Sequence, residues 1–226
     1  MIIGEILPPE VAAAEAFDDT ETAVLFPEEE AAVMRAVPRR REEFATGRAC
    51  ARAALARLGL PPVPIVPGDR GAPRWPDGVA GSITHCAGYR AAAVARVGDV
   101  AALGLDAEPN AALPGGVIDR VALARERAGL PGLAAAVPGV CWDRLLFCAK
   151  EAVYKAWFPL TGRWLGFEQA EITVEPEAGT FRADLLVPGT AVAGRALDRF
   201  TGRWLARDGL LLAAVVVPAA ARSTRT

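Results

Sequence analysis

Residues 147–157 read FCAKEAVYKAW and contain Lys150 and Lys155, the only two lysines in this chain of 226 residues. Apolar residues recur here at helical spacing, which predicts a long helix with one buried face. The simplest interpretation of the charges is a surface ion pair, because Glu151 and Lys155 stand four positions apart on such a helix. A pair of that kind contributes only about 0.3 kcal/mol to stability. Other charged motifs in the chain indicate a larger role.

The composition is that of a compact globular protein, with 52% hydrophobic and 23% charged residues. A net charge of −2 and a pI near 5.6 argue against a nucleic-acid-binding protein, so any anion site has to be a local basic cluster. The longest apolar run, residues 210–217, is far shorter than the ~20 residues that span a bilayer. The N-terminal residues do not resemble a signal peptide. Four cysteines without a CxxC pair predict free thiols and a cytoplasmic protein.

The histidine and lysine content excludes several familiar sites. His85 is the only histidine, so a multi-histidine metal centre is impossible. Neither lysine follows a glycine, which excludes a phosphate-binding P-loop. No serine lies in a G-x-S-x-G turn of the kind that holds a hydrolase nucleophile.

The order helix, loop, strands occurs twice along the chain. One helical pattern covers residues 41–58 and is followed by a loop rich in Pro and Gly and then by strands. A second helix over residues 142–157 is again followed by strand patterns. We therefore predict an α+β fold with two similar halves, residues 1–108 and 109–226. Each half would pack a long helix on a small antiparallel sheet, in a pseudo-twofold arrangement.

The segment LGLDAEP, residues 103–109, is a candidate metal site. On a strand, Asp106 and Glu108 point to one face while Ala107 points to the other. Two adjacent carboxylates repel each other unless a cation lies between them. Oxygen ligands favour Mg²⁺ or Mn²⁺, which also bind substrate phosphates. The alternative is a solvated strand end, since D-x-E is a common tripeptide.

Two further segments carry polar or basic residues. In GSITHC, residues 81–86, His85 follows Thr84 near a strand end, and its alternative interpretation is an ordinary, partly buried histidine. The segment RRREEFATGRACAR, residues 39–52, places several arginines on one helix, and arginines suit bidentate phosphate contacts. A solvated helix face is the alternative there. All these groups together would suit a metal-bound pyrophosphate held by cations, with a glutamate near the reacting phosphorus.

The motifs GSITH, LGLDAEP and FCAKEAVYKAW, in this order and spacing, resemble those of the 4′-phosphopantetheinyl transferase superfamily. The likeness is to its monomeric two-half branch, the type of enterobactin-synthetase component D, and extends through REEFATGR and WFPLTGRWLGFE over most of the chain. The resemblance implies Mg²⁺-dependent transfer of 4′-phosphopantetheine from coenzyme A to a serine of an apo acyl or peptidyl carrier protein, with release of 3′,5′-ADP. It also implies carriers of polyketide, nonribosomal-peptide or fatty-acid synthesis.

The same resemblance implies a role for each candidate residue. The metal ligands would be Asp106, the Ala107 carbonyl, Glu108 and Glu151. Asp106, Glu151 and Lys155 would carry the catalysis. Glu151 would take the proton of the carrier serine, directly or through a metal-bound water. Lys155 would contact the coenzyme A phosphates and assist the leaving group.

The resemblance also implies a set of contacts to coenzyme A. Its phosphates would be held by Arg40, Arg48, Thr84, His85 and Lys150, in addition to Lys155. Many members of the family carry Gly-Lys-Pro before the histidine motif, whereas this chain has Gly-Ala-Pro at residues 71–73. We expect Arg70 to supply the missing charge.

Two other functions are compatible with the sequence. One is a module that binds coenzyme A or a carrier protein without transferring the arm. The other is a different Mg²⁺-dependent enzyme that acts on nucleotide pyrophosphates.

Overall fold

Two long helices, α2 (Pro38–Arg57) and α5 (Trp142–Thr161), cover the two main sheets of the protein from opposite sides. This computed structural model describes residues 1–19, 23–187, 191, 192 and 195–220. None of its described helices is long and apolar enough to cross a bilayer. All four cysteine thiols are free, as predicted.

The first sheet has three antiparallel strands in the order β1-β3-β2. They are β1 (Ala12–Ala16), β2 (Val79–Cys86) and β3 (Tyr89–Arg96). A short helix, α1 (Pro27–Val33), precedes α2. The Pro- and Gly-rich segment between α2 and β2 is a loop with one 3-10 turn, as its composition predicts.

The second sheet has five antiparallel strands in the order β4-β10-β9-β6-β5. They are β4 (Val100–Pro109), β5 (Ala170–Glu175), β6 (Thr180–Leu185), β9 (Arg199–Arg207) and β10 (Leu210–Pro218). The short strands β7 (Ala191–Val192) and β8 (Arg195–Ala196) pair with each other. Two helices, α3 (Ile118–Val121) and α4 (Ala124–Ala136), connect β4 to α5.

The core consists of three apolar layers between the helices and the sheets. Ala92 and Val94 of β3 face α2, whereas Ala91, Ala93 and Ala95 face the second sheet. Because β3 is buried on both faces, its sequence is an almost continuous apolar run rather than an alternating one. The resulting order is helix, sheet, sheet, helix, and it confirms the predicted α+β class.

Strand β4, which the sequence predicts at the end of the first half, is part of the second sheet. It pairs with β10, with Asp106 opposite Ala213 and Glu108 opposite Leu211. The boundary between the halves at residue 108 stays a prediction. The apolar pattern of a strand shows that the strand is buried but does not show which strand it pairs with. The pseudo-twofold arrangement stays a prediction.

A buried glutamate ties the first half together. Glu29 is fully buried, and its carboxylate accepts hydrogen bonds from the amides of Phe26 (2.9 Å) and Ile65 (2.8 Å). Arg52 of α2 pairs with it at 2.9 Å. The carboxylate thus joins the start of α1, the middle of α2 and the loop that leads to β2.

The second half repeats this arrangement. Glu126 accepts hydrogen bonds from the amides of Leu123 (2.6 Å) and Ile172 (2.7 Å) and pairs with Lys150 of α5 at 2.8 Å. In both halves the glutamate is the third residue of a short helix, its partner cation comes from the long helix, and a distant isoleucine amide completes the set. The repeat supports the two-half organisation predicted from the order of elements.

Gly104 allows α5 to lie directly on β4. A Cβ atom at this position would be 1.9 Å from the Ala152 carbonyl oxygen and 2.7 Å from the Ala156 amide nitrogen. Only glycine fits a strand at such a distance from a helix backbone. The close approach occurs two residues before Asp106, so it also sets how near the carboxylates come to the polar face of α5.

We expect Gly104→Ala to lower the free energy of unfolding by about 1–3 kcal/mol or more, because the added methyl group has to push α5 away from β4. Urea unfolding would measure the loss. Gly98→Ala is the matched control, since a Cβ atom there meets nothing within 4 Å, and it should change stability by less than about 0.5 kcal/mol. Equal effects of the two substitutions would contradict the proposed contact.

Candidate active site

The candidate site lies where the end of β4 meets α5. Asp106 is buried and points toward the helix, as the strand alternation predicts. Its Oδ1 atom accepts a hydrogen bond from the Lys155 ammonium at 2.7 Å and lies 3.4 Å from the Thr84 hydroxyl. Its Oδ2 atom is buried and has no hydrogen-bond partner among the described residues. A buried, unpaired carboxylate oxygen is costly unless a cation or a donor binds it.

Glu108 emerges on the same face as Asp106, as predicted, and pairs with Arg144 at 2.8 Å. Arg144 also donates to the carbonyl oxygens of Ala111 and Ala112, both at 3.0 Å. Burial raises the pKa of Glu108, and the negative charge of Asp106 raises it further, although Arg144 opposes both effects. The two carboxylates therefore each have a basic partner of their own.

Glu151 is half-buried on α5 and forms no hydrogen bond or ion pair with the described residues. Burial raises its pKa, and the charge of Asp106 adds to the effect. Lys155 does not form the surface pair with Glu151 that the simplest interpretation predicts, because it bonds to Asp106 instead. Burial alone would lower the pKa of Lys155, but the charges of Asp106 and Glu151 raise it above its ordinary value.

Thr84 and Ser82 join the two sheets through their hydroxyl groups. Thr84 accepts a hydrogen bond from the Ala107 amide at 2.9 Å, and Ser82 accepts one from the Leu105 amide at 3.0 Å. Thr84 is only 1% exposed. Its hydroxyl thus holds β4 and approaches Asp106, and its direct contact with coenzyme A stays a prediction.

His85 points the other way from β2 and is more accessible, with 41% of its side chain exposed. Its Nε2 atom lies 2.7 Å from Nη1 of Arg40. Because a guanidinium can only donate, Nε2 is the acceptor and the proton resides on Nδ1, which faces Glu43 at 4.0 Å. Burial lowers the pKa of His85, and the charge of Arg40 lowers it further. The structure thus places Arg40 and His85, two of the residues predicted to hold coenzyme A, in contact with each other.

Arg48 is buried next to this pair. Its Nε atom donates to the Ile65 carbonyl oxygen at 2.7 Å, and its guanidinium lies 3.9 Å from the centre of the Phe44 ring. Burial lowers the pKa of Arg48 to about 10. Its two terminal nitrogens have no hydrogen-bond acceptor among the described residues, so they can still bind an anion. Arg70 is exposed and lies over the Trp164 ring at 5.2 Å.

Lys150 is held in a buried network beside the site. Its side chain is 1% exposed, and its ammonium pairs with Glu126 and donates to the carbonyl oxygens of Phe167 and Ala170, both at 2.8 Å. Burial lowers its pKa even though Glu126 opposes the shift. These contacts indicate a structural role for Lys150, and its predicted phosphate contact stays a prediction. On a helix, residues 150 and 151 point in different directions, which the sequence motif alone does not resolve.

The donor set at the end of β4 fits a hard divalent cation. Among the described residues, no group of three or more His, Cys, Asp or Glu side chains is arranged to hold a metal ion, so the three-carboxylate set predicted from the sequence is not preassembled. Asp106 and Glu108 nevertheless offer carboxylate oxygens, and Oδ2 of Asp106 lacks a partner. Mg²⁺ is commonly bound by one or two carboxylates and several waters. Ala107 is buried on the opposite face, and its carbonyl as a ligand stays a prediction.

Sequence reasoning missed Arg144 and Glu43. Arg144 precedes Glu151 by seven residues and Lys155 by eleven, a spacing that places all three on one face of a helix and could have identified it. Glu43 lies near Arg39, Arg40, His85 and Arg90. The contacts with Arg39 and Arg40 are local helix pairs, whereas those with His85 and Arg90 join residues far apart in the chain and are not indicated by any local pattern.

Comparisons with known proteins agree with the geometry. A family model described as the 4′-phosphopantetheinyl transferase N-terminal domain matches residues 28–95, and one described as the 4′-phosphopantetheinyl transferase superfamily matches residues 102–204. The chain is 59% identical to the 4′-phosphopantetheinyl transferase Svp of Streptomyces mobaraensis, over 97% of this chain and 91% of that protein. It is 48% identical to PptT of Mycobacterium tuberculosis (96% and 98%) and 52% identical to Npt of Nocardia iowensis (95% and 99%).

We expect Lys150→Met to lower the free energy of unfolding by about 3–5 kcal/mol, because it leaves Glu126 buried without its cation. Coenzyme A affinity of the folded protein should not change. The double variant Glu126→Gln with Lys150→Met is the control and should recover part of the stability. Chemical denaturation and calorimetric titration would measure both quantities. If Lys150→Met instead weakened coenzyme A binding strongly and left the stability unchanged, Lys150 would be a phosphate contact.

Proposed function

Because the chain belongs to the 4′-phosphopantetheinyl transferase superfamily and is such a transferase, we propose that its reaction takes place between Asp106, Glu151 and Lys155 with a divalent cation bound. The enzyme attaches the phosphopantetheine arm of coenzyme A to a carrier protein. The observation that carries the proposal is the Asp106 carboxylate, which has a cation on one oxygen and a buried, unpaired second oxygen. A buried carboxylate oxygen without a partner requires an explanation, and a bound cation would provide one.

Asp106 and Glu108 would hold Mg²⁺ or Mn²⁺, with Glu151 close enough to share it through water. When bound, the ion neutralises pyrophosphate charge. The Lys155 ammonium is a compact charge that can approach a bridging oxygen end-on, where the planar fork of an arginine would need more room. Lys155 would thereby favour departure of 3′,5′-ADP, because phosphoryl transfer depends mainly on positioning and charge neutralisation.

Glu151 would accept the proton of the carrier serine. No other side chain of the described residues binds its carboxylate. Its pKa is raised toward neutral pH, and a general base is most effective when its pKa is close to the working pH. Because the pKa of Glu151 is raised, the loss of transfer activity at low pH should also begin at a higher pH. Transfer should fall as the pH decreases through the raised pKa of Glu151, that is, at a pH above the ordinary glutamate value of 4.5.

The 3′-phosphate of coenzyme A would bind to Arg40, His85 and the free terminal nitrogens of Arg48. These three side chains form a positive cluster on the first half. The predicted phosphate contact of Arg70 stays a prediction, because its guanidinium lies over the Trp164 ring at 5.2 Å, beside the hollow next to Glu151. The neutral His85 can donate to an anion only through Nδ1, the ring nitrogen that carries the proton while Nε2 accepts from Arg40.

A small hollow beside Glu151 suits the apolar part of the arm. It is lined by Tyr154, Trp164, Leu165 and Phe167, and the Tyr154 hydroxyl lies in the interior without a hydrogen-bond partner. An amide carbonyl of the pantetheine chain would supply the missing acceptor. The hollow would therefore suit part of the pantetheine chain, which has apolar segments and regularly spaced amides.

The alternatives from the sequence are a binding module without activity and an enzyme that hydrolyses nucleotide pyrophosphates. Relatives named as transferases over nearly the full length of the chain favour transfer over both. Carrier proteins of polyketide, nonribosomal-peptide or fatty-acid synthesis are the partners that we propose.

The decisive experiment uses Glu151→Gln with labelled coenzyme A and an apo carrier protein. We expect coenzyme A binding to survive, while single-turnover labelling of the carrier falls by about 10²–10⁴, the usual effect of a lost general base. Glu108→Gln is the matched control, because loss of a metal ligand should reduce metal-dependent binding and turnover together.

Label on the carrier with the native enzyme supports transfer, whereas free label alone would indicate hydrolysis. Binding without any turnover would indicate the module. Native turnover in Glu151→Gln would remove Glu151 from the mechanism.

We also expect Arg48→Ala to weaken coenzyme A by about ten- to a hundredfold relative to dephospho-coenzyme A, because a charge-assisted hydrogen bond contributes about 1.5–3 kcal/mol. Arg52→Ala is the control, since Arg52 is engaged by Glu29 and the Val24 carbonyl oxygen and should affect both ligands equally. Fluorescence titration with the two ligands measures the ratio. An unchanged ratio for Arg48→Ala would place the 3′-phosphate elsewhere.

A further inference from the structure

Arg144 and Lys155, the two cations at the end of β4, differ in the number of groups that bind them. Arg144 is anchored by Glu108 at 2.8 Å and by two carbonyl oxygens at 3.0 Å. Lys155 has Asp106 as its one hydrogen-bond partner among the described residues, and 28% of its side chain is exposed. A lysine has four rotatable side-chain bonds, so its ammonium can leave without moving the helix. Arg144 is a fixed cation and Lys155 an exchangeable one.

A divalent ion would need the carboxylate that Lys155 uses. The unpaired Oδ2 atom of Asp106 belongs to the same carboxylate as Oδ1, on which the ammonium rests. Two cations on one carboxylate repel each other strongly in a partly buried site. Binding of the ion and retention of the Lys155 contact therefore oppose each other.

We propose that Lys155 is the resident counter-ion of Asp106 and that a divalent ion displaces it, which frees the ammonium for the coenzyme A phosphates. The inference rests on the metal site proposed above and adds an order of events to it. The ion binds first and releases Lys155, and the anionic substrate then recruits the released ammonium. By reciprocity, removal of the Lys155 charge has to strengthen metal binding.

The small number of lysines allows a direct test on the unaltered protein. Reductive methylation with labelled formaldehyde modifies accessible amines, and Lys150 is 1% exposed and fully engaged. Among the lysines, we therefore expect methylation at Lys155 only, and peptide mapping by mass spectrometry measures its rate. We expect Mg²⁺ alone to accelerate methylation of Lys155 and subsequent coenzyme A to slow it. Methylation that Mg²⁺ leaves unchanged or slows would overturn the inference.

Metal titrations of variants provide a second test that does not depend on activity. We expect Lys155→Met to bind Mn²⁺ about tenfold more tightly than the native protein, measured by the electron-spin signal of free Mn²⁺. Arg144→Met removes the same charge but also the anchor of Glu108, so it should bind Mn²⁺ no more tightly. An equal gain in both variants would mean that only the net charge matters and would contradict the exchange.

The outcomes separate this inference from the function on which it rests. If the native protein binds neither Mn²⁺ nor Mg²⁺, the proposed metal site is wrong and the exchange with it. If it binds the ion while Lys155 methylation does not respond, the metal site stands and only the exchange is wrong. Should Lys155→Met fail to fold, the methylation experiment on the native protein still decides.

Discussion

The Lys155 ammonium and the Asp106 carboxylate meet at 2.7 Å because helix α5 lies directly on strand β4. That contact requires a residue without a side chain at Gly104, where even a methyl group would overlap the helix backbone. The helix then presents Arg144, Glu151 and Lys155 along one face to the carboxylates of the strand. Two of the three carboxylates thereby have a cation at short range, Asp106 with Lys155 and Glu108 with Arg144, whereas the Glu151 carboxylate has none among the described residues.

The proposed active site is assembled from both halves of the chain. The carboxylates and their cations come from the second sheet and α5, whereas Arg40, Arg48 and His85 come from the first half. The hydroxyls of Ser82 and Thr84 join the two sheets by accepting hydrogen bonds from the amides of β4. These hydroxyl contacts explain why a buried threonine precedes an accessible histidine: Thr84 aligns the strand, and His85 lies on the side that we propose for the substrate.

Much of this arrangement could be predicted from the sequence, and the exceptions have physical causes. The common face of Asp106 and Glu108 follows from strand geometry, and both long helices follow from apolar periodicity. The pairing of β4 with β10 is a tertiary choice that the strand's own residues do not encode. The role of Lys150 depends on Glu126, which lies 24 positions away in another helix. Such distant partners also conceal the contacts of Glu43 and the use of Thr84 inside the protein.

The distribution of lysine has a practical consequence for handling the protein. Resins and labels that couple through primary amines react with lysine far more readily than with arginine, whose guanidinium stays protonated. Lys150 is enclosed in its ion network, so Lys155 is the only accessible lysine in the chain. Amine coupling at lysine would thus be directed to Lys155, the side chain that we propose to take part in the reaction. An immobilised or dye-labelled form of this enzyme would have to be attached through another type of residue.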